Sequence, residues 1–306
     1  DKLTTIHDPI KFYNNALDTT NGLDLVGFGN RFMSFIIYPF VKLGIRIEVL
    51  FLVFSTISFK GFLVYFNLIG IEDLKQRNKL ILLLFLMPSL HFWTGFLGKE
   101  ALLFLLMALL LKEIKLKQYN WKMAFTITPI FFIRPHVFFV LIVALLILFL
   151  LDKNTTKQLR RNLIIGSTLI FLCLLPLFTR YFLKIETFEI AAFQNYFIDF
   201  LKYAENKGST AISLSETTIF TRIWYLIIMP LPFLYPIKNS IQWFVAIENI
   251  ALLFIFTYST VYYIRNSFNF KIFRNDQKFV LISSFLLILL FGSYLYNLGL
   301  GNRMRV

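Results

Sequence analysis

Long apolar runs separated by short polar gaps extend along most of the chain. Arg46 to Gly70, Gln242 to Ile264 and Phe279 to Leu298 are each long enough to cross a bilayer, since a spanning helix needs ~20 apolar residues. The run from 31 to 43 is shorter and contains Pro39, which predicts an interfacial or re-entrant segment broken at that proline. The pattern predicts an all-α fold, a polytopic transmembrane helical bundle, because membrane β-strands would alternate polar and apolar residues.

Two helical hairpins with polar turns are predicted after the first long run. Leu80 to Leu86 and Ala101 to Leu111 flank the first polar turn, Met87 to Glu100. Trp121 to Ile133 and His136 to Leu151 flank the second polar turn, which is Arg134-Pro135-His136. Each arm is shorter than a full span, so we expect re-entrant segments whose polar turns lie below the outer surface and face one cavity.

The charge balance supports a membrane protein. A net charge of +14 in a soluble protein would suggest nucleic acid, but 58% of the residues are hydrophobic and the mean hydropathy is +0.69. We therefore predict membrane lipids as partners and no nucleic acid. By the positive-inside rule, the polar gaps that carry clustered basic residues lie inside. These residues are Lys75, Arg77, Lys79; Lys112, Lys115, Lys117, Lys122; Lys153, Lys157, Arg160, Arg161; Arg265, Lys271, Arg274 and Lys278.

This orientation places 1–30 and 184–221 outside, as loops of a single integral-membrane domain over 1–306. We also expect the chain to lack an N-terminal and a C-terminal span, because it starts with an outside loop and stops just after a span. Within the second loop, Phe188 to Tyr203 has apolar residues at helical spacing and suits the membrane surface. Three prolines in Arg222 to Lys238 predict a broken segment.

Charged residues inside apolar segments are candidate functional groups, since lipid disfavours them by several kcal/mol. Lys99 and Glu100 fit this description, although a turn that reaches the headgroups would leave both in water. Arg134 is a further candidate, with the alternative that its side chain only extends toward headgroup phosphates. Glu248 lies in the outer half of its span, where it could pair with a cation or form a hydrogen bond between helices.

Metal and disulfide chemistry have no support in the sequence. The single cysteine, Cys173, excludes an internal disulfide and a cysteine metal cluster. His7, His91 and His136 lack zinc-motif spacing. We predict no cofactor, and a divalent metal is unsupported.

The outside segments and polar turns together hold the charged residues of the predicted site. Its apolar walls suit a lipid tail, and its cations suit an anionic headgroup such as pyrophosphate, where they would stabilise charge on the leaving oxygen. Arginine can donate two hydrogen bonds to phosphate. Glycosyl transfer also needs a carboxylate to accept a proton, with Asp8 the first candidate and Glu100 the second. The candidates are Asp8, Lys99, Glu100, Arg134, His136, Arg303 and Arg305.

Two family resemblances follow from these residues. His7-Asp8, with Tyr13 and Ala16 after it, resembles the acidic first-loop pattern of GT-C integral-membrane glycosyltransferases, which implies a base or metal ligand at Asp8. Pro9 follows Asp8, so the paired acidic motif of many such enzymes is absent. The wider layout resembles bacterial O-antigen and exopolysaccharide repeat-unit polymerases, which handle polyprenyl-pyrophosphate-linked glycans with outside arginines. It comprises Pro88-Ser89, Trp93, Lys99-Glu100, Arg134-Pro135-His136 and Asn302-Arg303.

The resemblance implies glycosyl transfer on polyprenyl-linked glycans in cell-envelope polysaccharide synthesis, as a repeat-unit polymerase in the bacterial inner membrane. In that role Lys99, Arg134, Arg303 and Arg305 would hold the pyrophosphate, and His136 would orient a sugar hydroxyl. Other polysaccharide-assembly proteins are candidate partners. One alternative is a transporter or flippase of lipid-linked sugars, which would use the same cations without chemistry. Another is a scaffold, in which the charges at the turns would only pair with one another.

Overall fold

All the regular elements found in the described part of the chain are helices. The computed structural model describes residues 7–69, 84–152, 156–179, 189–205, 212–213, 216–232, 234, 237, 240–265 and 273–295. The all-α prediction is confirmed for these ranges. In chain order the helices are α1 (His7–Asp18), α2 (Asn30–Lys42), α3 (Ile47–Ile69), α4 (Pro88–Thr94), α5 (Lys99–Lys115), α6 (Trp121–Ile133), α7 (Pro135–Leu151), α8 (Lys157–Phe178), α9 (Ile190–Glu205), α10 (Ile219–Ile228), α11 (Ser240–Arg265) and α12 (Asn275–Tyr294).

Three of these helices are long and apolar enough to cross a membrane. They are α3, α12 and the Gln242–Tyr262 part of α11. Helices α4 and α5, taken together as one span, also meet this criterion, but the chain bends by 106° between Thr94 and Lys99. Helices α6, α7 and α10 are apolar but shorter. The protein is therefore a helical membrane protein with three to four candidate spans among the residues described.

The N-terminal segment folds into a helical hairpin. Helix α1 packs antiparallel to α2: the Tyr38 hydroxyl donates to the Thr20 carbonyl at 2.7 Å, and the Lys42 ammonium donates to the Leu17 carbonyl at 2.9 Å. Phe12 and Ala16, one helical turn apart, are fully buried. A helix thus occupies 7–18 within the segment that the polarity pattern predicts as an outside loop.

The predicted break at Pro39 is wrong. Helix α2 continues through this proline to Lys42, and the Leu43 amide donates to the Pro39 carbonyl at 3.1 Å. Proline removes one backbone donor from a helix. In a regular helix the amide of residue 39 would donate to the Phe35 carbonyl. Phe35 and Pro39 both lie on the exposed side of α2. The unpaired carbonyl is therefore not sealed within the core, and the helix tolerates the proline.

Helices α3 and α5 form the most extensive helix pair, and they run parallel. The Ser55 hydroxyl donates to the Gly95 carbonyl just before α5, and the Lys115 ammonium donates to the Leu68 carbonyl at the other end of the pair. Between these contacts, a Cβ at Gly61 would lie 2.8 Å from a ring carbon of Phe104. Because Gly61 lacks that atom, the two helices approach closely enough for the Phe62 and Phe104 rings to pack with their centroids 4.6 Å apart and their planes tilted by 52°.

The chain divides into two compact units, one of 1–141, 231–280 and 306, the other of 142–230 and 281–305. In the second unit the buried Arg222 of α10 donates from Nε to the Gly292 carbonyl of α12 at 3.1 Å. A Cβ at Gly292 would lie 2.4 Å from Ile223 Cγ1, so the small residue permits this close contact. The amphipathic helix predicted over Phe188 to Tyr203 corresponds to α9, Ile190–Glu205.

Candidate functional site

An ion pair joins the two polar turns. Arg134 ends α6, and Pro135 begins α7, because proline disfavours helical backbone in the preceding residue but suits the first position of a helix. Glu100 lies in the first turn of α5, which begins after Gly98. One guanidinium nitrogen of Arg134 donates to Glu100 Oε1, and the two side chains are 15% and 5% exposed. The sequence predicts that the two turns face one cavity, and in the structure they are joined by direct contact between these two side chains.

The other oxygen of Glu100 lies over the start of its own helix. A Cβ at Gly98 would be 3.2 Å from Glu100 Oε2, so a larger residue at 98 would crowd the carboxylate. The N-terminal end of a helix carries partial positive charge, which stabilises a carboxylate in the first turn. Both the guanidinium of Arg134 and the α5 backbone therefore place positive charge next to the Glu100 carboxylate.

The turn before α2 completes the site. The Gly29 amide donates to the Phe132 carbonyl at 2.8 Å, which ties this turn to the end of α6. Gly29 has φ 64° and ψ −114°, a backbone conformation that glycine adopts far more readily than other residues. A Cβ at Gly29 would lie 3.5 Å from Lys99 Nζ, so the ammonium is next to this backbone.

Three helices therefore begin at one place. Helices α2, α5 and α7 start at Asn30, Lys99 and Pro135, and the contacts of Gly29 and Arg134 bring these ends together. The residues that precede α2 and α5 are Gly29 and Gly98. Glycine has no side chain, so neither residue can cap the first turn of its helix. First-turn amides without a helical partner make such ends suited to anions.

Histidine and aromatic rings border the charged groups. His136 is half-buried in the first turn of α7. It is close enough to Arg134 and Lys99 to interact electrostatically with both cations. The Phe132 ring, two residues before Arg134 in the chain, stacks on Phe28 at 5.7 Å and on Phe32 at 5.1 Å. Apolar rings next to the charges lower the local dielectric constant and strengthen electrostatic interactions.

The structure brings four of the predicted site residues together, and we call Lys99, Glu100, Arg134 and His136 the turn cluster. Asp8 lies elsewhere on the N-terminal hairpin. Because α1 is antiparallel to α2, Asp8 is at the end near Ile45, to whose carbonyl the Tyr13 hydroxyl donates at 3.2 Å. Gly29 is at the opposite end of α2, a helix about 20 Å long. Arg303 and Arg305 lie outside the described residues.

The role of the turn before α2 was not predicted from the sequence. The available signal was Gly27-Phe28-Gly29, with two glycines next to the start of an apolar run. Glycine in such a position indicates a turn, but the pattern does not reveal that the turn contacts α6 and Lys99. Among the described residues, no group of three or more His, Cys, Asp or Glu is arranged to hold a metal ion.

Comparison of the chain with protein families, with characterised proteins and with solved structures finds no match. The geometry of the turn cluster is therefore the basis for the functional argument.

Gly29→Ala is expected to destabilise the protein. A non-glycine residue held in a sparsely populated backbone conformation costs about 1–3 kcal/mol. The thermal midpoint of the purified protein in detergent should therefore fall. Gly166→Ala is the control, because a Cβ there meets no atom within 4 Å and alanine favours the interior of α8. A midpoint for Gly29→Ala equal to that of Gly166→Ala would contradict the assigned conformation.

Proposed function

We propose that the protein is a multi-pass membrane enzyme that transfers glycans carried on polyprenyl pyrophosphate. Its reaction would be repeat-unit polymerisation at the outer face of a bacterial inner membrane, in cell-envelope polysaccharide synthesis. The observation that carries this proposal is the convergence of Lys99 and Arg134 on the N-terminal ends of three helices, around the single carboxylate of Glu100.

The electrostatics of the turn cluster favour an anionic ligand. Lys99 and Arg134 contribute two positive charges against the one negative charge of Glu100. The starts of α2 and α7 add partial positive charge, and first-turn amides of helices are suited to phosphate oxygens, whereas the start of α5 already faces Glu100 Oε2. A pyrophosphate bound there would have its leaving-group charge stabilised by groups already in position.

The surroundings of the turn cluster favour an anion with an apolar tail. The stacked rings of Phe28, Phe32 and Phe132 lie next in the chain to Gly29 and Arg134, and Gly29 is beside Lys99. The cluster lies between short apolar helices rather than in a polar loop. A soluble sugar nucleotide would gain little from such walls, whereas a polyprenyl chain would bury apolar area against them.

The acid–base roles depend on which carboxylate oxygens of the site already accept hydrogen bonds. Glu100 Oε1 accepts a hydrogen bond from Arg134, so the first role of this carboxylate is to orient the guanidinium. Its other oxygen is the candidate for accepting the proton of the attacking sugar hydroxyl, whereas Asp8, at the far end of the N-terminal hairpin, is outside hydrogen-bond reach of the turn cluster. His136, in the first turn of α7, would orient that hydroxyl.

Cells that lack the protein are expected to accumulate its lipid-linked glycan substrate. Cells without it should accumulate, at least severalfold, a single complete repeat unit on polyprenyl pyrophosphate at the outer side of the membrane. Mass spectrometry of extracted lipid-linked glycans gives the structure, and digestion of intact cells with an impermeant glycosidase gives the side. A shorter glycan that lacks one sugar would instead indicate a GT-C monosaccharide transferase, and an unchanged lipid pool would contradict both enzymes.

The second candidate function is transport of the same lipid-linked glycan. The bend of 106° between α4 and α5 favours it, because broken helices often line the binding sites of transporters. The lipid analysis separates the two functions, since a flippase mutant would hold the complete repeat unit at the inner side.

A further inference from the structure

Helix α4 lacks a capping side chain from its own segment. Met87 precedes the helix and provides no side-chain hydrogen bond to the first turn. The first-turn amides of any helix have no partner within that helix. One of them, the Ser89 amide, donates instead to Glu248 Oε1 of α11 at 2.7 Å. The two residues are 159 positions apart, so this bond depends entirely on tertiary packing.

Glu248 is unusual in its position. It lies in the N-terminal half of the Gln242–Tyr262 span, and the residue is 9% exposed. A buried carboxylate is costly unless it is paired or hydrogen-bonded. The ion pairs found in the described parts of the chain are Arg46–Glu48, Glu100–Arg134 and Arg274–Asp276, and Glu248 is in none of them. The Ser89 amide is thus the identified partner of this carboxylate.

The other end of α4 is held by α3. The His91 ring stacks on the Phe62 ring at 4.6 Å, and the Gly95 carbonyl after α4 accepts from the Ser55 hydroxyl. Helix α4 is thus fixed by α11 at its start and by α3 at its end. Residues 95–98 then connect it directly to Lys99 and Glu100 of the turn cluster.

We propose that Glu248 is a positioning residue, whose carboxylate fixes the direction of α4 and thereby places Lys99 and Glu100. The effect on glycan transfer rests on the proposed function, whereas the effect on α4 does not. Reach, rather than charge, is the essential property of Glu248 in this role, because an uncharged oxygen at the same position can also accept from the Ser89 amide.

Two substitutions separate reach from charge. Glu248→Gln keeps the length and an acceptor oxygen but removes the charge, whereas Glu248→Asp keeps the charge but shortens the side chain. We expect Glu248→Gln to resemble the parent protein. Because a displacement of ~1 Å at a reacting group can cost about a hundredfold in rate, Glu248→Asp should lower polymer per unit of protein by at least tenfold. The same substitutions at Glu48, an exposed glutamate of α3, are the matched controls.

The position of α4 can be measured without any glycan. Spin labels on cysteines at Phe92 and Leu43, which are 52% and 78% exposed, report the distance from α4 to the α2–α3 connection in a background with Cys173→Ser. Pulsed electron paramagnetic resonance should give one narrow distribution for the parent protein and Glu248→Gln, and a shifted or broadened one for Glu248→Asp.

Each other result of this pair of measurements counts against the positioning role. If Glu248→Gln rather than Glu248→Asp loses polymer, the charge itself is required. If both variants keep the parental distance distribution, the Ser89 contact does not fix α4. If Glu248→Asp moves α4 while polymer is unchanged, α4 does not place the turn cluster. If the parent protein forms no polymer but the distances behave as expected, only the proposed function fails.

Discussion

A protein in which methionine replaces both Glu100 and Arg134 is expected to reach the membrane normally and to form no polymer. Replacing a buried ion pair with apolar side chains of similar size is often neutral for stability, whereas removing one partner costs about 3–5 kcal/mol. Arg134→Met alone should therefore lower both protein and polymer, because it leaves the buried Glu100 unpaired. The double variant should restore only the protein, since Arg134 would still be missing from the proposed pyrophosphate site. Immunoblots of membranes and gel analysis of polysaccharide measure the two quantities.

The exposed pair Arg46–Glu48 provides the matched control for this experiment. Its double methionine variant should change neither protein nor polymer, because exposed ion pairs contribute about 0–1 kcal/mol. Recovery of polymer together with protein in the Glu100 and Arg134 double variant would show that the pair serves only the fold. The scaffold alternative would then be favoured over the enzyme.

Lys99→Met is expected to abolish most polymer formation while leaving the amount of protein unchanged. Lys99 is half-buried beside Gly29, and its ammonium would donate charge-assisted hydrogen bonds to phosphate. Such a bond contributes roughly 1.5–3 kcal/mol, which corresponds to about 10- to 150-fold in binding. Titration of the purified protein with inorganic pyrophosphate should show a dissociation constant raised by that factor. Lys99→Arg should retain part of the affinity, because it keeps the charge.

Lys11→Met is the control for Lys99, since Lys11 is exposed on α1. It should leave both polymer and pyrophosphate binding unchanged. Equal losses from Lys11→Met and Lys99→Met would indicate a general effect of surface charge. Unchanged pyrophosphate binding in Lys99→Met would remove Lys99 from the proposed site.

The helices and polar turns were largely predictable from the sequence, because they depend on local features. Apolar runs define most of the helices, and prolines at 88 and 135 mark helix starts, as their fixed backbone angle requires. The hairpin pattern also predicted that the two polar turns lie near one another. Contact between Glu100 and Arg134 could not be predicted, because it depends on how α5 packs against α6 across 34 residues.

The N-terminal hairpin was harder to predict for a different reason. The segment before Asn30 is polar overall, and this average hides the pair Phe12 and Ala16 on one face of α1. The place of Gly29 in the site depends on a hydrogen bond from its amide to the Phe132 carbonyl, about a hundred residues along the chain. No local sequence pattern predicts that hydrogen bond. The contact between Glu248 and Ser89 is equally non-local.

The separation of Glu100 and Arg134 along the chain has a consequence for biogenesis. Translation proceeds at about 5–20 residues per second, so Arg134, which is 34 positions after Glu100, is added roughly 2–7 s later. During that interval the Glu100 carboxylate has no guanidinium partner. We therefore expect α5 to reach its final packing only after α6 and Arg134 have been synthesised.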